Sequence, residues 1–279
     1  MKIYRWLDIL LGILFWGAGL LILLVLVSIF SYLVLRGGPI LSWDFIFEQP
    51  KGFPLGTEGG VLPAIKGTVY LVMVSLMVAV IPGIATATYL AELTKPSKYN
   101  EILNITIQCM AGVPSIVIGL FSYAIFVVQL GFGISLLAGG LALGMMIFPV
   151  IVVTARDALL AVNTEYRKVG LGLGVSRWYL LSRVIFPQAA PAILSGILLS
   201  MGYAAGATAP IMVTAAVVSA NTSGALFEPV MALPYHLYIL FSQQISIDYA
   251  YGTALLLVLL LLTLNIVAMG IRSFKRKGA

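Results

Sequence analysis

Residues 165–193, EYRKVGLGLGVSRWYLLSRVIFPQAAPAI, form the stretch of this chain best suited by residue type to recognise a polar partner. They hold Glu165, Arg167, Lys168, Arg177 and Arg183, five of 26 charged side chains in a sequence that is 61% hydrophobic and 9% charged. The chemistry on offer is recognition rather than bond-making. His236 and Cys109 are single residues of their kind and stand apart from any carboxylate cluster, so neither a metal site nor an internal disulfide is expected. Cys109 reads as a small buried hydrophobe. Asn163 or Thr164 is placed to cap a helix opening at Glu165, whose charge suits the N-terminal dipole. Gly172 or Gly174 then turns the chain. A second short helix from Ser176 puts Trp178, Leu181 and Ile185 on one face, with Pro187 and Pro191 expected to stop it. Such a basic helix–turn–helix can present a helix to a groove on a soluble partner.

The elements that must position this segment follow from composition. Soluble domains carry about 25% charged residues, and a mean hydropathy of +1.08 excludes that class here. Charge-free intervals run over 9–35, 67–91, 102–155, 184–227 and 249–271. About 20 apolar residues cross a bilayer as a helix, so the 54 residues of 102–155 hold two spans, divided by GFGISLLAGG at 131–140. Six transmembrane helices are expected, at roughly 8–35, 65–91, 104–130, 136–157, 189–218 and 249–271. The first run is far longer than a signal-peptide core and reads as a retained helix.

Six spans put both termini on one side. Lys2, Arg5, Lys95, Lys98, Arg156, Arg167, Lys168, Arg177, Arg183, Arg272, Lys275, Arg276 and Lys277 share that side, leaving only Arg36, Lys51 and Lys66 opposite. The positive-inside rule makes the termini and the opening segment cytoplasmic. The net charge of +6 then reports topology and contact with anionic lipid, not nucleic acid. The outer segment before span two is rich in Pro, Gly and aromatics, with Trp43, Phe45 and Phe47 suited to a membrane interface. In the segment before span six, Phe227, Val230, Met231, Leu237, Leu240 and Phe241 fit either short helices on the interface or a packed lid.

Prolines 82, 114, 149 and 210 fall inside spans and are expected to bend their helices, which suits either a cavity or plain packing geometry. No ionisable group sits mid-span, which disfavours an ion-coupled carrier, and no acid–base cluster at a membrane face points to an enzyme.

The 165–187 segment resembles the EAA loop of permease subunits in ABC importers. Lys168-Val169-Gly170 stand where that loop has Glu-Ala-Ala, Gly174 matches its glycine, and Phe186-Pro187 replaces Leu-Pro. Other stretches are similar to the PstA-type permeases of phosphate importers: GTVYLVMVSLMVAVIPGIATATYLAEL at 67–93, AGVPSIVIGLF at 111–121, MMIFPVIVVTARDAL at 145–159 and FEPVMALPYHLYILFSQ at 227–243. Together they cover residues 60–272. The branch carries Arg-Ala-x-Gly-Glu-Thr-Ala-Pro in span five, whereas this chain has Tyr203-Ala204-Ala205-Gly206-Ala207-Thr208-Ala209-Pro210, without the arginine or the glutamate.

The resemblance implies an all-α, polytopic membrane protein with the MetI-like ABC importer permease fold, one domain over 1–279. Residues 1–64 give the first span and outer loop, and 65–272 a five-helix core with a coupling loop at 158–191. It implies a subunit translocating inorganic phosphate, with another oxyanion (molybdate, sulfate), an organic anion, or ATP-independent carriage as alternatives. Glu165, Arg167, Lys168, Gly174, Ser176 and Arg177 are the residues expected to couple to an ATPase. Pro114, Ser115, Tyr203, Gly206, Thr208 and Pro210 are expected along the substrate path, with helix packing through small residues an alternative for Gly206, Thr208 and Pro210. The implied partners are a second homologous permease in a heterodimer, two cytoplasmic ABC ATPases that use ATP and Mg, an extracytoplasmic phosphate-binding protein, and lipid. The chain itself is expected to bind no cofactor and to lie in the cytoplasmic (inner) membrane.

Overall fold

A computed structural model describes residues 2–53, 56–94, 97–219 and 224–277. Lys95, counted with the basic side, and residues 221–223 of the last outer segment lie outside the described residues. Among the described residues, five helices are long and apolar enough to cross a membrane, within Leu10–Ile40, Leu62–Leu93, Leu136–Leu160, Arg177–Gly206 and Ile247–Ile266. A sixth element, expected as one span over 104–130 bent at Pro114, is a broken pair: α4 (Lys98–Ala111) and α5 (Ser115–Ser122, extended to Gln129 by a π-helical turn) meet at 97°. Pro114 enforces the break, because the residue before a proline is held out of helical backbone.

The remaining helices are α1 (Lys2–Gly37), α2 (Trp43–Phe47), α3 (Leu62–Thr88), α6 (Leu136–Leu160), α7 (Thr164–Gly172), α8 (Arg177–Leu180), α9 (Phe186–Gly206), α10 (Ala209–Thr214), α11 (Leu233–Ser242) and α12 (Ile247–Lys277). A minimal hairpin pairs Pro50–Lys51 with Glu58–Gly59. The fifth span begins earlier than the expected 189–218 and ends at Gly206. Pro187 and Pro191 do not stop it. A π-helical turn over Leu181–Ile185 joins α8 to α9, with the Phe186 N–H donating to Leu181. Pro187 has no N–H to place in that widened turn, and Ser182 and Arg183 face outward where water can serve freed carbonyls. Pro82 and Pro149 lie inside uninterrupted helices, while Pro210 opens α10 after a break at Ala207 and Thr208.

The core is the crossing of α3 on α6. Without a hydrophobic drive between helices in lipid, close approach through small residues supplies the contact. Gly140 and Gly144 sit against Val74 and Val78; a Cβ on Gly140 would meet the Val74 side chain. Leu71, Leu143, Ile147, Ile151 and Ile211 fill the space beside it. A second cluster at the helix–turn–helix end joins Ala87, Val152, Leu159, Leu181, Ile185 and Ala189. By contrast α1 is largely exposed from Leu10 to Arg36 and touches α12, where the Tyr32 and Tyr251 rings meet edge-on at 5.5 Å.

At the opposite end, Trp43 and Phe47 stack and remain exposed while Phe45 is buried. Val230, Met231 and Leu240 are buried under the α11 region, and Phe227 and Phe241 stay exposed. The Thr68 hydroxyl accepts from the Leu233 N–H at 2.9 Å, fixing α11 on α3. His236, outside the membrane-spanning helices, is 3% exposed, and burial pushes its imidazole down to about 4. A base whose folded pKa lies below its unfolded value keeps full stability above about 6.5 and loses it as the pH falls toward 4. At about pH 5 that loss is about 2 kcal/mol. Hydrogen exchange over residues 233–242, corrected for intrinsic rates, should accelerate at pH 5 relative to about pH 7. His236→Leu should remove the difference.

Candidate functional site

The helix–turn–helix forms from local signals. The Asn163 side chain accepts the Glu165 N–H at 2.9 Å and caps α7. Gly174 has φ +73° and turns the chain, with the Val175 N–H returning to Gly170 at 3.0 Å. The Ser176 hydroxyl accepts the Tyr179 N–H at 3.3 Å and caps α8. Gly170 is buried against Leu180, where a Cβ would come within 2.8 Å of a methyl carbon, so the two short helices can close on each other.

The charges of α7 divide. Glu165 and Lys168 pair at 3.1 Å and are 64% and 72% exposed, an arrangement worth only a few tenths of a kcal/mol. Arg167 turns inward and is 21% exposed. Its Nε and Nη2 engage the Glu92 carboxylate, Nη1 donates to the Val162 carbonyl at 2.7 Å and Nη2 to the Leu159 carbonyl at 2.8 Å. One guanidinium thus ties α7 to the last turn of α6 at Leu159, to the Val162 carbonyl just past it, and to the π-helical turn Tyr89–Leu93 that ends the second span. Glu92 was legible only as the last letter of Tyr-Leu-Ala-Glu. A lone carboxylate closing an apolar span was the signal that it needed a cation.

The outer surface of the element is apolar and exposed: Leu173 is 76% and Trp178 72% exposed, with Tyr166, Val169 and Tyr179 beside them. Trp178 does not share the burial of Leu181 and Ile185 expected from its spacing; α8 packs through Leu180, which lies against Gly170, and leaves Trp178 exposed. Arg177 is exposed at the same tip.

The second group of expected residues gathers around the breaks. Tyr203 and the stretch beside Pro114 line one cleft of about 250 Å³, together with Met110, Ile118, Met146, Val150 and Leu199. Pro114 and Gly206 are exposed, Ser115 and Thr208 half-buried. Pro210 is buried against Gly119, whose added Cβ would lie 2.8 Å from the Pro210 Cα, so this proline packs α10 on α5. Cys109, expected to be buried, is exposed, since α4 meets the bundle along its other face. A polar row on α4, Asn100, Asn104 and Gln108, went unread in sequence although its spacing of four residues placed it on one stripe.

Fold and site define the class: a mostly helical, multi-pass membrane protein with a broken-helix cleft in its bundle and a helix–turn–helix with exposed apolar side chains at one end. Residues 79–274 match the family model of the binding-protein-dependent transport system inner membrane component, and the chain belongs to that family. It is 34% identical to the phosphate transport system permease protein PstA of Pasteurella multocida, over 85% of this chain and 84% of that one. It is 30% identical to the phosphate transport system permease protein PstA 2 of Mycobacterium bovis, over 95% of this chain and 88% of that one. Its fold is shared with an inward-facing structure of the MetNI methionine ABC transporter, at TM-score 0.62 and 16% identity, covering 76% of this chain and 94% of that one. The chain is thus the membrane component of an ABC transporter, with the expected MetI-like fold.

Proposed function

We propose that this chain is one transmembrane subunit of an ATP-driven importer that carries inorganic phosphate across the cytoplasmic membrane. The supporting observation is the helix–turn–helix, whose exposed Leu173 and Trp178 patch is rooted in the bundle by Arg167 and Glu92. Large apolar side chains left exposed among charged ones on one short element suit a protein interface, and here the partner is a cytoplasmic ATPase that holds the ATP and Mg. Glu165, Lys168, Gly174, Ser176 and Arg177 present and shape that surface, and Arg167 transmits its motion. Both termini lie on the same, cytoplasmic side, by the distribution of Lys and Arg.

The breaks at Gly112–Pro114 and Ala207–Thr208 support the rest of the assembly. Non-helical backbone at membrane depth is tolerated only where protein covers it or water fills a cavity. Because Pro114 and Gly206 are exposed in the single chain, a second homologous permease covers that face and the two together enclose the path. An extracytoplasmic binding protein delivers the anion to it. ATP closes the ATPase pair, the helix–turn–helix moves as a unit, and the cleft changes the side to which it opens.

Phosphate is favoured by the names of the relatives. A different oxyanion is favoured by Tyr203, which stands in the cleft lining where the branch has arginine, and by Ala207, which replaces the glutamate of span five. ATP-dependent uptake of radiolabelled phosphate into vesicles holding this subunit with its co-encoded partners, competed with sulfate and molybdate, decides between them. Phosphate uptake that resists both competitors is expected. Uptake of another oxyanion in its place would transfer the assignment, and no ATP-driven uptake of any oxyanion would overturn it.

A further inference from the structure

Below the Tyr203 cleft, a groove of about 510 Å³ runs between α4 and the last turns of α6. Its lining holds more polar side chains than the cleft above, with Ile105 the apolar member. Asn100, Asn104 and Gln108 form the α4 edge with Ser97 and Glu101, and Arg156 rises from α6. Arg156 is the first charged residue after the interval 102–155 and its side chain is 19% exposed. One of its nitrogens donates to Asn104 Oδ1. The other edge of the guanidinium engages its neighbour Asp157 at 3.2 and 2.9 Å. The Asn104 amide nitrogen is in turn held by the backbone carbonyl and side-chain oxygen of Asn100, at 2.9 and 3.2 Å.

Cleft and groove are successive stations on the same two helices. Met110 of the cleft follows Gln108 of the groove on α4. Val150 precedes Arg156 by six residues, about 9 Å along the helix. A solute leaving the cleft between these helices meets Gln108, then Arg156 and Asn104, then Asn100 and Ser97.

The donor set fits a tetrahedral oxyanion. The guanidinium now gives one nitrogen to the neutral Asn104 oxygen, and a bond charged at both ends, to an oxyanion in that place, would be stronger. The Gln108 amide supplies a further donor, and the Asn104 amide nitrogen, now held by Asn100, can turn to the anion once its oxygen is released from Arg156. Asp157 and the exposed Glu101 oppose the anion, so the hold is weak. Weak holding suits passage, which requires binding good enough to enter and poor enough to leave.

We propose that Arg156, with Asn104 and Gln108, forms a transient oxyanion site between the Tyr203 cleft and the helix–turn–helix end of the bundle. This rests on the reading of the chain as an oxyanion permease. The test uses vesicles holding the complete assembly, with inorganic phosphate as the probe. Arg156→Gln is expected to lower ATP-driven uptake about tenfold, the loss of one charge-assisted contact, with ATPase stimulation preserved. Arg156→Lys is expected to keep part of the rate, and Glu101→Gln not to lower it. A direct readout comes from Gln108→Cys in a Cys109→Ala background, treated with a negatively charged methanethiosulfonate. Millimolar phosphate should slow the modification, and Arg156→Gln should abolish that protection.

Wild-type uptake with an unchanged rate in Arg156→Gln would overturn the site, as would protection that survives Arg156→Gln. Equal loss in the Gln and Lys variants, with ATPase stimulation lost too, would make Arg156 a strut between α4 and α6 and overturn it as well. A wild-type assembly that takes up no phosphate overturns the phosphate reading instead; protection by sulfate or molybdate at residue 108 then decides the groove.

Discussion

Replacing Arg167 by glutamate is expected to lower ATP-driven uptake by about a hundredfold or more while the chain still reaches the membrane. The guanidinium is largely buried, and its donors are divided between Glu92, 75 residues earlier, and the carbonyls of Leu159, in the last turn of α6, and Val162, just past it. Removing one partner of such a pair costs about 3–5 kcal/mol, because the other charge is left desolvated and unpaired. Arg167→Glu does more than remove it, since two carboxylates then face each other beside two orphaned carbonyls. The lost contacts are the ones that join α7 to the second span and to α6. The damage therefore falls on transmission from the helix–turn–helix to the bundle rather than on the spans. ATPase activity should persist without uptake. Pairing the change with Glu92→Arg reverses the polarity of the contact and should recover about tenfold, but not full rate, because the carbonyl bonds do not return. Arg167→Lys should fall between, as one ammonium cannot fork across three acceptors. Uptake within about twofold of wild type in Arg167→Glu would show that the clasp does not carry the motion.

The contrast between Arg167 and Lys168 marks the limit of what the sequence discloses. Both were legible as basic residues of a short capped helix, because caps at Asn163 and Ser176 and the turn at Gly174 depend on side chains within three residues of each other. Which of two adjacent cations faces the bundle depends on where the end of the second span lies, and that is fixed by the packing of α3 on α6. The spans were legible for a related reason: the cost of charge in hydrocarbon is paid locally, so charge-free runs mark them wherever the rest of the chain goes. Their continuity was not legible. Pro114 breaks its helix and Pro187 does not, since α8 and α9 can join through a π-helical turn beside water-facing Ser182 and Arg183. The α4 row of Asn100, Asn104 and Gln108 became meaningful only once Arg156 was seen opposite it.

Gly174 offers the sharpest separation of backbone from bulk. Nothing lies within 4 Å of the position a Cβ would take, so space does not limit this site. Its φ of +73° does. A non-glycine residue in left-handed backbone costs about 1–2 kcal/mol, with asparagine the best tolerated and β-branched residues the worst. Gly174→Val should therefore distort the turn between α7 and α8, displace Trp178 and Leu173 together, and lower ATP-driven uptake about tenfold or more. Gly174→Asn, larger than alanine, should keep uptake within about twofold of wild type, with Gly174→Ala between the two. An order that followed side-chain volume instead, with asparagine worse than alanine, would mean that a partner packs against the glycine face itself. The helix–turn–helix would then dock through its turn rather than through the exposed surface of α8.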